Sequence, residues 1–138
     1  MKWVAVFLAL LAPFATFIFI AAAAQPTKEP EAAAEEWLHL VDNGDYDKDS
    51  TQAGSVFKAS ASDPQWRKVV VPARAALGAV VSRDVKEVKL SNTLPGMPSG
   101  QYAVVQFNTA FSHKAAAVET LSLDSENDHW AVIGYFIR

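Results

Sequence analysis

The chain has 138 residues, a formal net charge of −3 and no cysteine. This length accommodates one domain. The lack of cysteine excludes disulfides, thiolate metal sites, a cysteine nucleophile and a lipidated cysteine, and the acidic balance argues against a nucleic-acid partner.

Residues 1–24 are typical of a signal peptide, because Lys2 precedes a long uncharged apolar run. The small residues Ala22 to Ala24 predict cleavage before Gln25. The run is also long enough to cross a bilayer, so an uncleaved anchor is the alternative. We expect a single α+β domain over residues 25–138, in the periplasm or secreted. An uncleaved chain would instead be anchored in the inner membrane and face the periplasm, and only then would the membrane be a partner.

A first helix is predicted from about Pro30 to Gly44, a natural helix terminator. Apolar residues recur in it at steps of three and four positions: Ala34, Trp37, Leu38 and Val41. Glu31, Glu35, Glu36 and Asp42 fall outside this apolar stripe.

The alternating acids Asp45, Asp47 and Asp49 raise a calcium hypothesis. An EF-hand loop needs a glycine and a twelfth-position acid where this chain has Ser50 and Val56, so a solvated turn is favoured. A second helix is predicted to follow, with one side formed by Ala53, Val56, Phe57 and Ser60.

A third helix is predicted to begin at Asp63 and Pro64, a capping residue followed by a favoured first-turn residue. Its predicted apolar side comprises Trp66, Val69, Val70, Ala73 and Leu77. Pro72 predicts a kink or a break into two shorter helices. The arginines of this region have two interpretations: they form ordinary surface pairs, or Arg74 or Arg83 is held inward against an acid.

Four strands are predicted in the remaining chain, at about residues 81–93, 101–111, 115–124 and 129–138. The last strand is apolar on both faces. It is therefore expected either to be central in the sheet or to have its outer face covered by the helices or by a partner. A homodimer is one such arrangement.

Alternation along the third strand places Glu119 on the same face as Leu121 and Leu123. If these leucines face the core, the carboxylate of Glu119 does so too. A buried carboxylate is normally paired or protonated, so we predict a pair with an arginine beside a tyrosine. The candidate partners are Arg74 or Arg83, and Tyr102 or Tyr135. In the alternative, Val118 and Thr120 face inward and Glu119 is solvated.

Several motifs in combination resemble a bacterial family, domain of unknown function 4019. They are WLHLVDNGDY, the W-x(7)-R-x-x-LG-x-x-x-SR run from Trp66, LPGMPSGQY, FNTAF with Lys114, the pair Glu119–Thr120 and the closing W-x-V-x-GYFI. The resemblance implies a small exported α+β protein, with about three N-terminal helices packed on a four-stranded antiparallel sheet. Such a fold is similar to those of the cystatin-like and nuclear-transport-factor-2-like group. This chain departs from the family pattern at two positions: Thr51 stands where a tryptophan is expected, and Ala131 stands where an arginine often follows the last tryptophan.

These observations favour a binding or interaction module for a small ligand or a protein. The candidate cleft lining is Arg74, Arg83, Tyr102, Glu119 and Tyr135. The alternative is an isomerase- or dehydratase-like cleft enzyme, with Glu119 as acid or base together with Tyr102 or His113. No phosphate-binding loop, metal-spaced histidines or G-x-S-x-G motif occurs, so no cofactor and no metal are predicted.

Overall fold

A computed structural model of the chain describes residues 28–47, 53–54 and 63–138. Its helices and strands are α1 (Lys28–Asp42), α2 (Asp63–Leu77), β1 (Val80–Ser91), β2 (Tyr102–Phe111), β3 (Lys114–Glu126) and β4 (His129–Ile137). The described part thus contains two helices where three were predicted for the whole chain. The predicted signal segment lies outside the described residues, as does nearly all of the predicted middle helix.

The four strands form one antiparallel sheet in the order β1-β2-β3-β4, which confirms the predicted sheet. The hairpin between β3 and β4 turns at Asn127 and Asp128, both of which have positive φ. Such a pair of residues suits the tight turns that match strand twist. β4 lies at an edge of the sheet, so the option of a central last strand is wrong.

One face of α1 is buried as the apolar spacing predicts. Ala34, Trp37, Leu38 and Val41 are almost completely inaccessible to solvent. They pack against inner-face residues of the sheet that include Val105, Phe107, Leu121, Leu123 and Val132. Burial of a large apolar side chain such as Leu38 or Phe107 contributes about 1.5–3 kcal/mol, so this layer stabilises the fold.

Helix α2, which was predicted as the third helix, differs from its prediction in two respects. It is not broken into two shorter helices at Pro72, which lies on the exposed side of α2, where water can replace the missing amide donor. Its buried row is also narrower than predicted: Trp66, Val70 and Arg74 are buried, whereas Val69 is 66% exposed. The helix therefore meets the core along a single row spaced four residues apart.

Within the described residues, no helix combines the length and the apolar character needed to cross a bilayer.

Candidate functional site

Glu119 lies on the inner face of β3, where its side chain has 0% exposure to solvent. In the antiparallel register it is paired with Phe107 of β2, a core residue. The inward orientation predicted from alternation is confirmed, and the solvated alternative for Glu119 is wrong.

Donors from three strands bind the carboxylate of Glu119. Arg83 Nε donates to Oε1 at 2.8 Å, and the Thr109 hydroxyl donates to the same oxygen at 2.5 Å. The Tyr135 hydroxyl donates to Oε2 at 2.5 Å, and Arg74 Nη1 lies 3.7 Å from that oxygen. Both carboxylate oxygens are therefore occupied by protein donors.

A second carboxylate, that of Asp42 at the end of α1, joins the two arginines. Arg83 donates to both of its oxygens, at 2.6 and 3.0 Å, and Arg74 Nη2 donates to Oδ1 at 2.6 Å. Two cations thus face two anions. We call Asp42, Arg74, Arg83 and Glu119, with the hydroxyl groups of Thr109 and Tyr135, the ion network.

The surroundings keep the carboxylate of Asp42 and the guanidinium of Arg83 charged. Burial alone would raise the pKa of Asp42, but hydrogen bonds and charge from Arg83 and Arg74 outweigh it and lower that pKa. Burial alone would likewise lower the pKa of Arg83, yet its bonds to Asp42 and Glu119 raise it. Burial and then the charge of Glu119 raise the pKa of Tyr135, so its hydroxyl stays protonated and donates.

Aromatic packing fixes the position of the Tyr135 ring. Trp37 of α1 meets it edge-on with centroids 5.1 Å apart, and Trp66 of α2 lies 6.4 Å from it. The two indoles are themselves 5.7 Å apart. Such tilted pairs add about 0.5–1.5 kcal/mol each beyond area burial. Arg74 is fixed in a similar way, with its guanidinium carbon 5.1 Å from the centroid of Phe111.

The structure brings together four of the five residues predicted to line a cleft: Arg74, Arg83, Glu119 and Tyr135. Whether they bind a ligand stays a prediction. Tyr102 lies apart, because it is on the opposite face of β2 and donates its hydroxyl to the carbonyl of Pro98 at 2.5 Å. His113 is also outside the network, with Nδ1 3.3 Å from the carbonyl oxygen of Ala76.

Two members of the ion network were not predicted. Asp42 was placed outside the apolar stripe of the first helix, but its side chain is only 19% exposed and pairs with both arginines. The signal was its position four residues after Leu38, which continues the buried stripe. Thr109 was recognisable as an inner-face residue of its strand, but nothing in the sequence identified its partner.

Beside the ion network lies an open groove of about 400 Å³ between α2 and the end of β4, called here the α2–β4 groove. Arg74 and Tyr135 belong to both the network and the groove. The complete lining is Trp66, Val69, Val70, Ala73, Arg74, Ala76, Leu77, Lys114, Tyr135, Phe136 and Ile137.

Arg74 also lines a second depression, of about 590 Å³, formed by α1, α2 and the start of β1. The acid there is Asp42, whose charge is already matched by both arginines. In the part of the chain that the structure describes, no cluster of histidine and acidic side chains could hold a metal ion.

Asp42→Asn is expected to destabilise the protein by about 1.5–3 kcal/mol at neutral pH, since it weakens hydrogen bonds between charged groups. The folded-state pKa of Asp42 lies below the ordinary 3.8. Its ionic contribution is therefore complete above 3.8 and is lost as pH falls from there through the folded-state pKa. Urea unfolding at neutral pH and through this acid range measures both effects.

The matched control for this prediction is Asp84→Asn, which removes an exposed carboxylate on β1. The difference between wild type and Asp42→Asn should shrink at acid pH, and Asp84→Asn should have only a small effect at neutral pH. A difference that is independent of pH would contradict an ionic role for Asp42.

Comparison with known families places the ion network inside a recognised sequence unit. The family described as "Protein of unknown function (DUF4019)" matches residues 33–135, a range that contains every member of the network. No curated protein matches the sequence. The similarity to cystatin-like and nuclear-transport-factor-2-like proteins stays a prediction. Because the match covers most of its length, the chain belongs to the DUF4019 family.

Proposed function

We propose that this protein is an exported binding protein whose α2–β4 groove holds a small, largely apolar ligand. The observation that carries the proposal is the groove itself. Its volume of about 400 Å³ is in the range of small-molecule pockets, about 300–1,000 Å³. Its walls combine aromatic and aliphatic side chains with a few polar groups, as such sites commonly do.

Exposed apolar side chains on the two sides of the groove support this proposal. Val69 on α2 is 66% exposed and Phe136 on β4 is 54% exposed. Both belong to the groove lining. A ligand between them would remove apolar surface from water, at about 25 cal/mol for each Å² covered.

The ion network gives the groove a fixed back wall. Arg74 is held by Asp42 and lies close to Tyr135, whose ring rests on Trp37 and Trp66. These contacts come from both helices and from β4. Groups fixed before binding lose little conformational entropy when a ligand arrives, which favours affinity.

The geometry around Glu119 does not favour the enzyme alternative. A general base must reach the proton of its substrate by a hydrogen bond or through one water. Glu119 has no solvent exposure, and Arg83, Thr109 and Tyr135 occupy its oxygens. We therefore propose that Glu119 supports the groove and does not act on a ligand.

Ala73→Phe is expected to weaken binding of a neutral apolar dye, Nile red, by about tenfold, since the added ring would occupy the groove. The matched control is Ala75→Phe, which adds the same ring to an exposed position of α2 that lies outside the groove lining and belongs to the second depression. Titration of the dye, followed by its fluorescence, measures both affinities. Equal affinities in the two variants would place dye binding elsewhere and contradict the proposal.

Export is the second part of the proposal and rests on the signal-like segment of residues 1–24. Native mass spectrometry of the protein recovered from a periplasmic extract should give the mass of residues 25–138. A heavier chain that retains the leader would indicate the membrane-anchored alternative. Spectra recorded over a range of protein concentrations also test the homodimer alternative, and a mass of one chain at every concentration would be evidence against it.

A further inference from the structure

We infer that the ligand of the α2–β4 groove is an amphipathic anion, with an apolar body between α2 and β4 and one acidic group at Lys114. This inference rests on the proposed function, because it assigns a chemical class to the ligand of that groove.

The charges that line the groove carry the inference. They are the cations Arg74 and Lys114, and no acidic side chain is among the lining residues. The protein as a whole has 15 acidic and 12 basic residues. Because Asp42 and Glu119 balance the charge of Arg74 within the ion network, Lys114 supplies the net positive charge of the groove, and this charge selects against cationic ligands.

Lys114 is the cation available to a ligand. Arg74 is only 8% exposed, and its guanidinium is bonded to Asp42. Lys114 begins β3, is exposed, and has no ion pair or side-chain hydrogen bond in the described part of the chain. An arriving anion would therefore pair with Lys114 without breaking an existing contact.

The nearby end of α2 does not cancel this preference. The last carbonyl groups of a helix carry partial negative charge, which opposes an anion. Here, however, the amide of Gly78 donates to the carbonyl of Arg74, and the amide of His113 donates to that of Leu77. The ring of His113 lies beside the carbonyl of Ala76. Because these carbonyl groups already accept hydrogen bonds, the full charge of Lys114 outweighs their partial charges, and the electrostatic potential in the groove is positive.

The remaining lining is suited to the other half of an amphiphile. Ala73, Ala76 and Leu77 of α2 lie on one side, and Phe136 and Ile137 of β4 on the other. These side chains offer no hydrogen-bonding group. A ligand polar along its whole length would lose its hydration here without compensation, so the apolar body is needed as well as the acid.

Three probes test the inference: decanoate, decanol and decyltrimethylammonium, each with a ten-carbon chain that in decanoate includes the carboxyl carbon. Each is titrated against Nile red bound to the purified protein, with the two ionic probes below their critical micelle concentrations and decanol below its solubility limit. We expect decanoate to compete at about two- to fivefold lower concentration than decanol, the range for one exposed ion pair. Decyltrimethylammonium should compete least, and added salt should reduce the advantage of decanoate.

Lys114→Gln is expected to remove the advantage of decanoate and to leave decanol within about twofold of its wild-type value. The matched control is Lys68→Gln, which removes an exposed cation of α2 that is not part of the lining. It should change neither probe.

The outcomes separate the two proposals. If decanol competes and decanoate is no better, or if Lys114→Gln affects both probes equally, the anion inference is overturned while groove binding stands. If no probe competes and Ala73→Phe leaves dye binding unchanged, the proposed function itself fails.

Discussion

Glu119→Gln is expected to lower the free energy of unfolding by about 3–5 kcal/mol, the range for removal of one partner from a buried ion pair. The substitution keeps the size of the side chain but removes its charge. Arg83 and Arg74 would then face only Asp42, so the ion network would carry an unmatched positive charge. The new amide group would also present a donor where Arg83, Thr109 and Tyr135 already donate.

Urea unfolding of the wild type and Glu119→Gln measures this loss, with Glu87→Gln as the matched control. Glu87 is an exposed glutamate of β1, 3.4 Å from Lys89. Pairs of this kind contribute about 0–1 kcal/mol, so the control should stay within that range. If the two variants lose the same small amount, the ion network does not support the fold.

A double-mutant cycle with Arg83→Gln tests whether the two groups act as a unit. Arg83 binds both carboxylates, so its loss should also be costly. If the pair is the source of the energy, the double variant should lose less than the sum of the single variants, by about 0.5–3 kcal/mol. Additive losses would mean that each residue acts through other neighbours.

The sequence was most informative where one residue broke a regular pattern. Glu119 shares a face with Leu121 and Leu123, and a period of two leaves little freedom in a half-buried strand. Its burial and its pairing with an arginine were therefore predictable. The same rule places Tyr102 on the face opposite Phe107, so its inclusion among the cleft residues went against the pattern.

The helices were less predictable because periodicity identifies rows of residues but does not show which rows are covered. Asp42 and Val69 illustrate the two directions of error: the acid is largely buried and the valine is exposed. Burial of a helical row depends on how the helix lies on the sheet. The α2–β4 groove arises from that placement, so no local pattern could predict it.

Gly78→Ala is expected to destabilise the protein by about 2–4 kcal/mol, which combines backbone strain with a steric overlap. Gly78 has φ of +78°, a left-handed conformation that disfavours any side chain with a Cβ. A Cβ atom there would also overlap the hydroxyl oxygen of Ser112. That hydroxyl accepts a hydrogen bond from the amide of Ala79 at 3.1 Å, so rotation of Ser112 away from the overlap would break this bond.

Gly96→Ala is the matched control, because Gly96 has the same φ of +78° but nothing within 4 Å of the added Cβ. It should cost about 1 kcal/mol, from backbone strain alone. The difference between the two variants in thermal or urea unfolding then measures the overlap with Ser112. If the two variants lose the same amount of stability, the overlap with Ser112 makes no contribution.

Gly78→Ala is also expected to disturb the groove, because Ser112, which meets the added Cβ, belongs to the turn that precedes Lys114. In that turn the amide of Ser112 donates to the carbonyl of Ala79, and the amide of His113 donates to that of Leu77. In the Gly78→Ala background, Ser112→Gly should recover the part of the stability lost to overlap but not the part lost to strain. If the double variant also regains the preference for decanoate over decanol, the end of α2 positions Lys114. If Gly78→Ala alone leaves this preference unchanged, Lys114 is positioned independently of the end of α2.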